Sequence, residues 1–160
     1  MKYLRKFNET LRYKEVTQVK YDLEDVLIDV DDLNIGRKDD FLYKIDTYSN
    51  SSSMRDVTIS DTFRIDVRFW KNGGFFSFDD YEKLKPIFDR LVRTMEPISN
   101  EVKLVISQWD EDENEFFNEM SYDKMIEYLS FKVGIFNISN GSGEFLPSKI
   151  TGFKLKFNLK

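Results

Sequence analysis

The most constraining feature of this chain is the alternation at its end. Phe153, Leu155, Phe157 and Leu159 take every second position, with Lys154, Lys156, Asn158 and Lys160 between them. A β-strand turns successive side chains to opposite faces, so a period of two describes a strand with one buried and one wet face. The pattern recurs where Phe63, Ile65, Val67 and Phe69 interleave with Arg64, Asp66, Arg68 and Trp70, and more briefly at Phe41, Tyr43 and Ile45. Around Val102, Leu104 and Ile106 the intervening positions include Val105 and Trp109, and this nearly continuous apolar run predicts an interior strand. Further strands are predicted near 131–138 and over 149–160. Lysines on the outer face of the last one would protect a sheet edge from further pairing.

A different period marks the helices. Val16, Val19, Leu23, Val26, Leu27 and Val30 form one apolar stripe, predicting a helix from about Glu15 to Asp31. Lys71-Asn72-Gly73-Gly74 predicts a tight hairpin leading into Phe75, Phe76 and Phe78. Ser77 or Asp79 can then cap a helix that buries Leu84, Ile87, Phe88, Leu91, Val92 and Met95. Pro86 lacks an amide donor, so a kink or a late start is expected there. A short helix is predicted after Ser121. These elements describe an α+β protein: a single two-layer domain over 1–160, mainly antiparallel sheet with two or three helices on one face. Ser49 to Ser53 reads as a short mobile loop between neighbouring strands.

Composition narrows the chemistry. The chain has no Cys and no His, which excludes thiol nucleophiles, disulfides, Ser-His-Asp triads and conventional zinc sites. Any catalysis would rest on carboxylates, Lys, Arg, Tyr and hydroxyls. The absence of Ala, with abundant Lys, Asn, Ile, Phe and Tyr, reflects an AT-rich coding bias. No apolar stretch reaches the roughly 18 residues of a membrane span, and the first residues lack the apolar centre of a signal peptide. The expectation is a cytoplasmic protein with no membrane partner and no cofactor. Its formal charge of −5 is unevenly spread. Residues 1–14 and 128–160 are basic, 15–56 and 110–127 are acidic, and 57–109 are balanced. These blocks can neutralise one another within the molecule or attract a partner.

Three constellations are candidate sites. In the acidic run from Asp110, the residues Asp110, Asp112 and Asn114 match the first ligand positions of a calcium loop. Glu115 then replaces the required Gly and Ser121 the final Glu, so a solvated acidic loop is the simpler reading. On the first helix, Gln18, Asp22, Asp25, Asp29 and Asp32 follow helical spacing and predict an acidic ridge opposite the apolar stripe. Such a ridge could imitate a row of phosphates. Arg64, Arg68 and Trp70 share one strand face and could bind nucleic acid by charge and stacking. Asp66 between the arginines favours an ion-pair ladder instead. The glycines at 73–74 and 141–143 lack the neighbours of a phosphate cradle.

The opening Met1-Lys2-Tyr3-Leu4-Arg5-Lys6-Phe7-Asn8-Glu9, with the acidic amphipathic helix that follows, resembles small proteins of large tailed bacteriophages. The resemblance covers mainly the first thirty or so residues and carries over no functional residue. It implies an accessory role in infection, acting on a host or viral protein, on a defence system, or within the virion. With no catalytic signature, the expected function is a non-enzymatic interaction protein. A virion or assembly component and a metal-dependent enzyme using the acidic cluster are the alternatives.

Overall fold

The computed structural model describes residues 2–49, 62–110, 112–130, 137–139, 145–147 and 149–160, with backbone alone for 2–17, 49, 137–139 and 145–147. The expected loop at 49–53 therefore lies, apart from the backbone of Ser49, outside the described residues, as does most of the strand expected near 131–138. Three helices are present: α1 (Lys2–Asn34), α2 (Phe78–Met95) and α3 (Tyr122–Leu129). Five strands, β1 (Phe41–Ser49), β2 (Thr62–Lys71), β3 (Ser99–Trp109), β4 (Glu115–Ser121) and β7 (Ile150–Leu159), form an antiparallel sheet in the order β1-β2-β7-β3-β4. The short strands β5 (Asn137–Ser139) and β6 (Phe145–Pro147) pair separately.

The first helix is twice the expected length. No Gly or Pro occurs before Gly36, and the residues before the apolar stripe are good helix formers, so nothing stops the helix from continuing. It ends where Gly36 takes a positive φ of 77°. Immediately beyond, the Asn34 amide donates to the Phe41 carbonyl at 2.8 Å and its oxygen accepts the Phe41 N–H at 2.7 Å. That double bond ties the end of α1 to the start of β1.

The expected hairpin after β2 does not form. Gly73 and Gly74, at φ 144° and 69°, turn the chain into a single bridge between Phe76 and Ile150. Ser77 then caps α2 in a reciprocal capping box with Asp80, leaving no room for a returning strand. The helix starts at Phe78, well before Pro86, so Pro86 does not delay it. Exposed Pro86 costs α2 one backbone bond, which the buried Leu84, Ile87, Phe88 and Leu91 offset by packing.

All three helices lie on one face of the sheet. Leu23, Leu27 and Val30 of α1, Leu84, Phe88 and Leu91 of α2, and Met125 and Leu129 of α3 share one core with Ile65, Val67, Leu104, Ile106, Phe153, Leu155 and Phe157 of the strands. Phe153 is its centre, in ring contact with Phe76, Tyr81 and Phe88 at 4.9 to 6.1 Å. Phe63 departs from its alternation and stays 44% exposed, because the β2–β7 pairing begins only at Arg64.

Strand order brings the main correction. The last strand, β7, is the middle one, hydrogen-bonded to β2 and β3, so its lysines guard no edge. The edges are β1 and β4, and β4 was concealed in sequence behind the acidic run.

Candidate functional site

The face turned away from the helices carries the side chains that core packing leaves over. Its register builds rows across the sheet. In one row Leu42, Trp70, Gly152, Ser107 and Phe117 stand side by side on five strands. In the next, Lys44, Arg68, Lys154, Val105 and Glu119 do the same. A third brings Asp46, Asp66, Lys156 and Lys103 together.

The first row is apolar at both ends, Leu42 and Trp70 on one side and Phe117 on the other, with only Gly152 and Ser107 between. Phe117 is 62% exposed and Trp70 37%. Gly152 lies against the Phe69 carbonyl, which would stand 3.0 Å from an added Cβ, so close backbone approach keeps the centre free of a side chain. At the rim Trp109 meets Phe75 edge-on with ring centres 5.7 Å apart, and both remain partly exposed. Exposed aromatics gathered on one face are the pattern of a contact surface.

The cross-strand ion-pair ladder expected around Asp66 forms in part: the pair across the strands goes to Asp46, which stands opposite Asp66. Arg68 Nε lies 2.9 Å from Asp46 across the strand pair, and Arg64 Nε lies 3.1 Å from Asp66 along it. Arg64 also stacks on Tyr48, its guanidinium 4.0 Å from the ring centre. Lys156 donates to Glu119 at 2.6 Å, and this contact first, with nearby cations, holds the Glu119 carboxyl below its usual range. Asp66 is fully buried with no aligned hydrogen bond to either oxygen, and burial first, then the facing Asp46, raises its pKa against the pull of Arg64, Lys154 and Lys156. Among the described residues Lys154 enters no ion pair. It stands directly opposite Arg68, an arrangement of like charges that costs stability.

Arg64, Arg68 and Trp70 thus share a face as expected; both arginines are ion-paired, and Arg68 is the more exposed of the two, since Arg64 also stacks on Tyr48. Sequence reading missed Phe117 and Lys154, which the topology brings to the same surface.

The acidic ridge of α1 is divided. Asp22, Asp25 and Asp29 stand beside α2, and Gln18, Asp22 and Asp25 also border a groove beside Tyr43 of β1. Asp29 pairs with Arg90, and Asp22 and Asp25 line a shallow groove of about 490 Å³ with Arg90, Arg93 and Thr94. Gln18 donates to Asp22 at 2.9 Å, while Asp25 and Asp32 are exposed. Cations from the same molecule sit beside this ridge, which weakens it as a phosphate mimic.

The acidic loop forms a turn. Asp110 Oδ1 accepts the amides of Asp112 at 3.0 Å and Asn114 at 2.8 Å, and Glu113 takes a φ of 62°. That oxygen is therefore committed to the backbone. Among the described residues no three acidic side chains gather as a metal site.

Two further carboxylates, buried Asp80 and half-exposed Asp89, act as staples. Asp80 accepts Arg37 at 2.8 Å, Lys71 at 3.0 Å and the Ser77 amide at 3.0 Å. Burial alone would raise its pKa, but those three donors hold it below its usual value. Asp89 accepts the Tyr122 hydroxyl at 2.6 Å and Lys85 at 2.8 Å, linking α2 to α3.

No helix among the described residues is long and apolar enough to cross a membrane. No family model matches the chain, and neither a curated protein nor a solved structure does.

Proposed function

We propose that this chain is a non-enzymatic interaction protein whose working surface is the sheet face turned away from the helices. The observation that carries the reading is the row from Trp70 to Phe117, where exposed aromatics flank the bare Gly152 beside the central cation Lys154. Burying such rings on a partner removes apolar area from water, at about 25 cal/mol per Å². The rings lie on paired strands, so they are held in place before binding and little order is lost on contact. The likeness of the first thirty or so residues to tailed-phage proteins supports an accessory role in infection.

The test is affinity purification at low salt from the source cells, with wild type beside the Trp70→Ala/Phe117→Ala variant. A macromolecule retained by wild type and lost by the variant is expected. Equal recovery by both, or none by either, would count against this surface.

A further inference from the structure

We infer that the same face binds single-stranded nucleic acid; this rests on the interaction reading and names its partner. Lys154 and Lys156 occupy the middle strand, where edge protection cannot account for them. Lys44, Arg68 and Lys154 form a row of cations on three adjacent strands, and Asp46 is the carboxylate that pairs with the first two. Lys103 stands directly opposite Lys156 in the next row. Glu119 pairs with Lys156 and Glu101 with Lys103, so the six cations Lys44, Arg64, Arg68, Lys103, Lys154 and Lys156 share four carboxylates, Asp46, Asp66, Glu101 and Glu119, and the surplus centred on Lys154 suits an anion laid across it.

Outward residues on one strand recur every 6.7 Å or so, and neighbouring strands are about 4.8 Å apart. The aromatic row therefore runs parallel to the cation row, about one nucleotide's width away. Trp70 and Phe117, three strand spacings apart, stand roughly 14 Å from one another. A strand crossing the sheet would lay bases along Trp70, the Gly152 floor and Phe117, with phosphates over Lys44, Arg68 and Lys154. Duplexes hide the faces of their bases, so this surface suits unpaired nucleotides. An acidic polypeptide would use the cations and leave the rings without a role.

Both tryptophans of the chain border this surface, so binding is read directly by their fluorescence. The probes are 12-mers of dT and U, titrated at low salt into the full chain, with polyglutamate as a second ligand. Quenching that saturates in the micromolar range is expected. The affinity should fall with log[salt] at a slope near −2, as three phosphate contacts at about 0.7 ion each require. Lys154→Glu and Phe117→Ala should each weaken oligonucleotide binding about tenfold while leaving the thermal midpoint within a few degrees. Should Lys154→Glu lower that midpoint further, Lys154→Gln carries the charge test.

No oligonucleotide binding would overturn the inference. So would polyglutamate binding equally well and with equal sensitivity to Lys154→Glu but none to Phe117→Ala, which would identify an acidic polypeptide site. If either occurs while affinity purification still recovers a partner that depends on Trp70 and Phe117, the nucleic-acid assignment fails and the interaction surface stands.

Discussion

Asp46 and Asp66 face each other directly across β1 and β2, and each is held by an arginine of β2, Arg68 for the first and Arg64 for the second. Two like charges in adjacent positions repel, and the arginines two residues to either side of Asp66 are what make the arrangement tolerable. The pair lies beside the proposed binding rows, so its charge state bears on that surface as well as on stability.

Asp66 has a pKa raised chiefly by burial and then opposed by its cations. The folded state therefore takes up this proton at higher pH than the unfolded chain. Its contribution to stability falls as pH rises from the unfolded carboxylate range through the raised value. Asp66→Asn should flatten that part of the profile and raise neutral-pH stability by about 1 kcal/mol. Urea unfolding between pH 4 and 7 checks this; a lower midpoint at pH 7 would mean that pairing with Arg64 outweighs burial.

Asp80 has the opposite sign. Its carboxylate is favoured in the fold, so the stability it gives is present above the unfolded carboxylate pKa and lost as pH falls through the lowered folded value. Asp80→Ala removes the capping box and strands Arg37 and Lys71, and should cost about 3 kcal/mol at pH 7. In acid the difference from wild type should shrink, which chemical denaturation at both pH values would reveal.

Asn34→Ala breaks both bonds to the Phe41 backbone and leaves its N–H and carbonyl without those partners. A loss of about 2 kcal/mol is expected. Hydrogen exchange should quicken first in β1 near Phe41, and uniform acceleration through the sheet would speak against a local clamp.

Asp110→Ala removes the acceptor for two turn amides and should cost about 1 kcal/mol. Because that oxygen serves the backbone, the cost should be the same with and without millimolar calcium. A thermal midpoint that climbs with calcium in wild type and not in the variant would restore the metal reading.

The face shared by Arg64, Arg68 and Trp70 was legible because strand alternation is local geometry. The partial ion-pair ladder followed from the same spacing. Phe117 and Lys154 were not legible as site residues. Phe117 lies on β4, whose pattern of Phe116, Asn118 and Met120 against Phe117 and Glu119 is masked by the carboxylates before it. Lys154 was read correctly as outward-facing, but its neighbours lie far away in sequence.

Patterns within a few residues suffice for the α+β class, the apolar stripe of α1, the capped α2 and the face that each alternating strand buries. Tertiary pairing alone makes the last strand the middle one, sets Gly152 and Ser107 between Trp70 and Phe117, and places Lys154 in the neighbouring row. Strand order depends on pairings between distant segments, chosen by how completely Phe153, Leu155 and Phe157 are covered by the helices. Burial on that side fixes what the opposite face must present.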